Sequence, residues 1–418
     1  MYVKINLKIY IFMKILFVNE YAHPHIVSGA ELSTLALANE LNASKKAKIF
    51  TLSPNLSSSA TPTGRLPVGQ IKFPFPKKIS PGKILTPLWF NNPIFWIYAA
   101  FYIAKTVKDH HIDLIHVHGK YIQPPAIIAS WFSKIPVITT VRDFKFLCPL
   151  ALCYTHQQKK CSYPYYIYKE IPEYFNSYTK GKSLKPLIIL RLILAKLGQN
   201  DLKWFLNRSK QVVAVSPQLA KIYEYAGVKN ITAIYNLPPK SMKIIKRSGQ
   251  TIVSIGKLSY GKGTDTLLKA MEILRTKLPQ AKLVIAGRKN ISLKQSFPSN
   301  TLHLGLRPHR NMKDLLAKAQ VFVILSRWPE PLSRAGLEAL SAGLAILASN
   351  RGGNQELIKD NGFLVDPDKP QKVADKLVKL LTSKNLKTYQ RNSHKLLNSR
   401  FNRKAIINQH LKLYQSLL

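Results

Sequence analysis

Acidic residues are scarce. Twenty Asp and Glu stand against 63 Lys and Arg in 418 residues, a formal net charge of +43 that calls for polyanionic partners. Nucleic acid is one candidate, but no helix-turn-helix, zinc finger or RNA-binding motif is present and the basic residues are spread along the whole chain. Anionic lipid is the better fit. Also missing is any uninterrupted apolar run of about 20 residues, so the chain is expected to be peripheral to a membrane rather than to span it. Two shorter stretches could touch an interface: Leu88 to Tyr98, read as an ordinary packed helix, and Ser183 to Lys196, whose leucines and isoleucines are bordered by Lys185, Arg191 and Lys196 and are read as interfacial. Met1 to Phe12 has the basic start of a signal peptide but is not expected to be one, because no small-residue cleavage site follows and the apolar run continues into the first strand. Internal repeats and low-complexity tracts are absent too.

Cysteine is nearly absent: the only three are Cys148, Cys153 and Cys161, with His156 among them. Four zinc-type ligands could be assembled from these, yet the tight Cys-x-x-Cys pair of common zinc modules is lacking, and free buried thiols are favoured over a structural metal or a disulfide. The odd count and the lack of a secretory signal point to the reducing cytosol.

The informative stretch runs from Ser326 to Val365. Val321 to Leu325 is an apolar run suited to the buried middle of a parallel sheet, so the polar residues after it sit at a strand's carboxyl end. Prolines make Arg327-Trp328-Pro329-Glu330-Pro331 a loop, and Ser333 is a helix N-cap, which places Glu330 at the strand exit and Glu338 on the following helix. A second strand, Ala345 to Ala348, leads to Gly352 and Gly353, whose backbone N–H groups are expected to be open to an anion. Upstream, the strand Ile252 to Ile255 leads into Gly256-Lys257-Leu258-Ser259-Tyr260-Gly261-Lys262-Gly263 and a helix opening at Thr264. Two lysines beside glycines at a helix start suit a pyrophosphate. Singly, each of these residues reads more often as a solvated surface charge; their order and their placement at successive strand ends turn the balance.

This half resembles the donor-binding domain of glycosyltransferase family 4, whose members have the GT-B fold. The family's pair of glutamates seven residues apart matches Glu330 and Glu338. The resemblance makes Glu330 the contact to donor-sugar hydroxyls, Glu338 the holder of the nucleotide ribose and Lys262 the lysine on the donor pyrophosphate. Lys257 stands where the family usually has arginine, keeping the charge but not the planar fork. Gly256, Leu332 and Ser333 join the donor-binding set, as does Gly305 near the expected base pocket.

In the first half, Met13 to Asn19 is a strand followed by Ser28-Gly29-Ala30-Glu31 opening a helix. The family has Gly-Gly-Ala-Glu there, close to the donor, so Ser28 replaces a glycine while Gly29 keeps the anion logic. His116 and His118 alternate to one side of a short strand. Metal spacing is the weaker reading because no carboxylate cluster accompanies them; the resemblance puts His118 nearest the acceptor cleft. The segment through Arg142-Asp143 matches one that reads His-Asp in the family. Arginine cannot serve as a base at neutral pH, but Arg142 can stabilise departing phosphate or hold an acidic acceptor; the alternative is a salt bridge to Asp143 or a neighbour. Arg142 and Asp143 are grouped with Glu330, Lys262 and Lys257 as catalytic candidates.

The expected architecture is α/β, with two Rossmann-like doubly wound domains facing across a cleft: residues 1–234 on the acceptor side, a linker 235–250, a nucleotide-sugar domain 251–401, and a last helix, Asn402 to Leu418, that in the family crosses back. Since the likeness starts at Met13, residues 1–12 are an extension or reflect a misplaced start. The expected activity is a retaining, metal-independent transfer of a sugar from a nucleotide diphosphate sugar to a membrane-linked or polysaccharide acceptor, without a cofactor, at the inner face of the membrane. A degenerate nucleotide-sugar-binding protein and a sugar phosphorylase or epimerase are the alternatives; a nucleic-acid-binding protein comes last.

Overall fold

A computed structural model describes residues 12–21, 29–56, 69–75, 90–150, 162–172, 186–197, 199–242, 249–289, 293, 295–308 and 311–418. Ser28, Leu88, Trp89, Cys153, His156, Cys161, Lys185 and the first eleven residues lie outside these, as does the side chain of Arg191.

Two wholly parallel sheets organise the chain. The first has seven strands: β1 (Met13–Val18), β2 (Ala47–Asn55), β3 (Gln70–Pro74), β4 (Leu114–Val117), β5 (Val137–Val141), β6 (Gln211–Ala214) and β7 (Ile231–Ala233), in the order β3-β2-β1-β4-β5-β6-β7. The second has six: β8 (Gln250–Ile255), β9 (Ala281–Ala286), β10 (Thr301–His303), β11 (Val321–Ile324), β12 (Ala345–Ser349) and β13 (Gly362–Val365), in the order β10-β9-β8-β11-β12-β13. Every residue of β4, β5, β11 and β12 is buried, as continuous Val/Ile/Leu-rich strands must be when helices cover both faces. Winding reverses between β1 and β4 in one sheet and between β8 and β11 in the other. Those two reversals are switch points, where the loops diverge and leave a crevice outside the strands' carboxyl ends.

The chain ends back on the first sheet. The helix Arg403–Gln415, capped by Asn402, buries Ile406, Ile407, Leu411 and Tyr414 among Met13, Ile15, Phe17 and Leu114. Arg403 pairs with Glu40, and Tyr414 Oη lies 2.8 Å from His116 Nδ1. Each buried aliphatic side chain contributes about 2 kcal/mol by leaving water, so the contact holds the two ends of the chain together. A second tie joins the halves directly, where Ser216 Oγ donates to the Pro331 carbonyl at 2.5 Å.

The helix Pro93–His110 packs Phe95, Ala99, Ala100 and Ile103 inward, as an ordinary packed helix does, and leaves Ile94, Ile97 and Phe101 in solvent. On the helix Pro186–Leu197, Leu190, Leu194 and Leu197 are exposed while Lys196 is buried, its ammonium over the Tyr166 ring. Among the described residues, no helix is long and apolar enough to cross a membrane.

Candidate functional site

The crevice of the second sheet is built by two loops. After β8, a single 3₁₀ turn, Tyr260–Lys262, is closed by Gly263 at φ 66°; a Cβ there would stand 2.2 Å from the Leu325 carbonyl oxygen, so only glycine fits. The turn aims Lys262 at the exit of β11. There Glu330 Oε1 accepts from the Lys262 ammonium, from Ser326 Oγ at 2.6 Å and from Trp328 Nε1 at 2.8 Å. Burial pushes the Glu330 carboxyl toward the neutral form, but the Lys262 charge and these three donors outweigh it and hold the pKa below the ordinary value. Trp328 lies against Gly261, where a Cβ would stand 1.9 Å from its ring, and the Lys262 ammonium is 4.8 Å above that ring's centre.

Arg327 braces the loop from beneath. Its guanidinium forks onto both Asp265 oxygens at 2.6 and 2.9 Å, reaches Thr266 at 2.7 Å and Asp368 at 2.5 Å, and stacks on Tyr260. Ser333 caps the helix Arg334–Ser341 by accepting the Gly336 N–H at 3.1 Å. Glu338, nearly buried, pairs with Arg334 Nε at 3.1 Å, and Arg334 Nη1 reaches across to Ser33 Oγ at 3.0 Å. On the other side of Lys262, Lys257 leaves β8; burial and then the Arg288 charge both lower its ammonium pKa, so two cations sit together at adjacent strand ends. Gly256 and Gly287 make that approach close: a Cβ on Gly287 would stand 1.8 Å from the Gly256 carbonyl oxygen. Gly305 accepts the Gly287 N–H at 2.9 Å, which ties the β10 exit to the same end.

Facing this, the first sheet presents His118 and Arg142. Arg142 Nη1 lies 2.9 Å from His118 Nδ1 and its Nε donates to Asn236 at 3.3 Å; burial lowers the guanidinium pKa to about 10. Asp143 pairs with Lys145 at 3.2 Å instead, so the salt bridge weighed between Arg142 and Asp143 does not form. His116 and His118 do share a side, with ring centres 4.1 Å apart, but His116 is bonded to Tyr414 and Thr140. Cys148 donates its thiol to Glu170 at 3.0 Å. Among the described residues, no group of three His, Cys, Asp or Glu could hold a metal.

Residues 27–237 match the family model described as Glycosyltransferase Family 4, and residues 241–396 match that of Glycosyl transferases group 1. The chain belongs to glycosyltransferase family 4. A relative matched over most of its length, 26% identical over 364 residues, is an uncharacterized 42.6 kDa protein in the cps region of Klebsiella pneumoniae, with 82% of this chain and 87% of that one aligned. Spore coat protein SA of Bacillus subtilis is 33% identical over 148 residues, 32% of this chain; the match spans 39% of that relative's length, about two fifths. Another Bacillus subtilis relative, the putative glycosyltransferase YtcC, is matched over 38% of its length. Among solved structures, Anabaena HepE with UDP and glucose superposes with a TM-score of 0.65 at 20% identity over 97% of this chain and all of its own, a likeness of fold, and that fold is GT-B.

Glu330 and Glu338, the pair read from the spacing, are both nearly buried and each salt-bridged. One expectation is corrected. Gly353 does not offer an open N–H, because it donates to the Glu330 carbonyl at 2.6 Å, and the segment after it is a short 3₁₀ helix, Gly353–Leu357. Leu332 turns its side chain into the core shared by both sheets. Arg327, Arg334 and Arg288 went unread as parts of the site, since in so basic a chain no single arginine stands out.

Proposed function

We propose that the protein is a retaining glycosyltransferase that moves a sugar from a nucleotide diphosphate sugar to a membrane-linked or polysaccharide acceptor. The observation that carries this reading is the half-buried Lys262–Glu330 contact at the switch point of the second sheet, flanked by the paired cations Lys257 and Arg288. Glu330 would exchange its internal donors for donor-sugar hydroxyls, and Glu338 would accept from the ribose. As the sugar–phosphate bond lengthens, negative charge grows on the diphosphate, and fixed cations there lower the barrier by an amount that water cannot match. Lys262, Lys257 and Arg142 supply that charge from the chain itself. The departing phosphate oxygen takes the acceptor's proton on the same face, so no base is asked of Arg142. Relatives named for such chemistry, including a GDP-mannose:cellobiosyl-diphosphopolyprenol alpha-mannosyltransferase of Xanthomonas oryzae, 28% identical over 182 residues, support a lipid-linked acceptor.

The exposed apolar side chains Ile94, Ile97, Phe101, Trp131, Phe132 and Leu194, on a chain of net charge +43, support a seat on an anionic membrane surface. The test is release of nucleoside diphosphate from a panel of UDP- and GDP-sugars, with and without vesicles containing anionic lipid. Release that drops by at least about a hundred-fold in both Glu330→Ala and Lys262→Ala is expected. Wild-type protein that neither binds nor turns over any member of the panel ends this reading in favour of a degenerate binding protein.

A further inference from the structure

Lys262 and Glu330 come from different strand exits, and two sets of contacts hold those exits together. The first is their own bond. A diphosphate on Lys262 and a sugar hydroxyl on Glu330 would take that bond apart, because each group would turn to the ligand. The second is Arg327, just past β11 and only 9% exposed. Its backbone N–H donates to the Gly261 carbonyl at 2.9 Å and its guanidinium donates to the Tyr260 carbonyl, so it grips the two residues before Lys262. The residue after it, Trp328, donates to Glu330 at 2.8 Å. Arg327 therefore sits one residue from Lys262 through its bonds and one residue from a donor of Glu330 along the chain.

What fixes Arg327 is carboxylate, the scarce charge in this chain. Asp265, in the first turn of the helix Thr264–Lys277, takes the guanidinium fork on both oxygens, and Thr266 accepts from it as well. Asp368, past β13, accepts from Nε. Arg351, past β12, lies 3.7 Å from that second carboxylate and 3.8 Å from Asp366. Three of only 20 acidic residues thus meet two arginines here, and the exits of β8, β11, β12 and β13 are tied together. Burial alone would lower the Arg327 pKa, but Asp265 and Asp368 outweigh it and raise it above the ordinary value, so the charge is permanent. A lysine there would keep that charge and lose the planar fork.

We propose that Arg327 is a positioning residue for the transfer, keeping Lys262 and Glu330 in register across the breaking sugar–phosphate bond once the ligand has separated them. The proposal rests on the glycosyltransferase reading. Its cost should fall on the transition state, where both groups must act at once, more than on nucleotide binding, which Glu338 and the other cations share.

The test is a double-mutant cycle on diphosphate release, per mole of folded protein, with the donor that the panel of UDP- and GDP-sugars identifies. Arg327→Lys is expected to lower kcat about thirty-fold or more and to raise KM less than about ten-fold. On a Lys262→Met background the same change should cost less than about three-fold, because the group that Arg327 aims is already gone. A merely structural role would scale both backgrounds alike; equal costs, or a loss confined to KM, overturn the proposal. Should Arg327→Lys fail to fold, Asp368→Asn removes one arm of the grip and should lower kcat about three- to ten-fold, again with little effect once Lys262 is replaced. An unchanged kcat in that variant overturns the proposal too. Wild type that binds UDP or GDP but releases no diphosphate sinks the transferase reading alone. The cycle is then read from UDP and GDP affinity by calorimetry, where Arg327→Lys should weaken binding about three- to ten-fold with Lys262 present and not without it. Wild type that binds neither nucleotide overturns both.

Discussion

Arg334 lies over Gly29. Its Cδ is 3.1 Å from the place a Gly29 Cβ would occupy, while its guanidinium touches Glu338 of its own helix and Ser33 of the first. One side chain thus spans the cleft and holds Glu338 at the same time.

Gly29→Ala should push that flexible side chain by a few tenths of an ångström without harming the fold. The expected result is a change in stability under about 1 kcal/mol and a fall in nucleotide affinity of about three- to ten-fold. Arg334→Ala should cost more affinity, since it frees Glu338 and breaks the link to Ser33 together. Calorimetric titration with the nucleoside diphosphate released in the donor panel separates the two; equal affinities in wild type and Arg334→Ala would mean that the bridge has no bearing on binding.

Lys262→Met leaves the Glu330 carboxylate without its cation in a nearly closed site, at an expected cost of about 2 kcal/mol at pH 7. Glu330→Gln should cost less, because Ser326 and Trp328 can still donate to an amide oxygen. The Glu330 carboxyl is held below its ordinary value of 4.5, so its stabilising contribution is complete above that pH and fades as acid carries the protein through the folded-state pKa. Urea midpoints at pH 7 and pH 4 should therefore converge between wild type and Lys262→Met at the acid end. Curves that stay a constant distance apart would remove the ion pair as the cause.

What could be read from the chain, and what could not, follows from how far apart the interacting residues lie. Strands such as Val321–Ile324 and Ala345–Ser349 announce themselves locally, because a buried parallel strand must be apolar on both faces. The Ser333 cap and the paired glutamates are also local patterns. Arg327 gripping Asp265 and Asp368 joins residues 62 and 41 positions away, and no periodicity encodes such pairs. The contact between Glu20 and the Tyr121 N–H is harder still: its members follow β1 and β4, and only the strand order brings them together. The partners of Arg142 were hidden for the same reason, since His118 and Asn236 come from other strand exits and not from its neighbour Asp143.

The docked C-terminal helix should make the fold acid-sensitive well above the carboxylate range. His116 beside it and His410 on it are buried and kept neutral, by burial first and then by nearby positive charge; His410 falls to about 3. Such groups bind protons better when unfolded, so stability is full above pH 6.5 and declines below it, by on the order of 2 kcal/mol per histidine at pH 5. Tyr414→Phe, which orphans His116 Nδ1, should cost about 1 to 2 kcal/mol at pH 7. Denaturation at pH 5 and 7 checks both; no loss of stability between those values would show that the histidines are charged in the folded protein.

Glu20 carries the opposite sign. Burial raises its folded-state pKa to about 7, above the ordinary 4.5, so ionisation is disfavoured in the fold, and the wild type should lose stability through this group as pH climbs from 4.5 to about 7. The deficit above that window is on the order of 3 kcal/mol. Glutamine keeps the shape and the bond from the Tyr121 N–H but has no charge to bury. Glu20→Gln should therefore match wild type near pH 4.5 and exceed it at pH 8. Urea midpoints for the two proteins at pH 4.5 and 8 decide the matter: lines that stay parallel would make Glu20 an ordinary structural carboxylate.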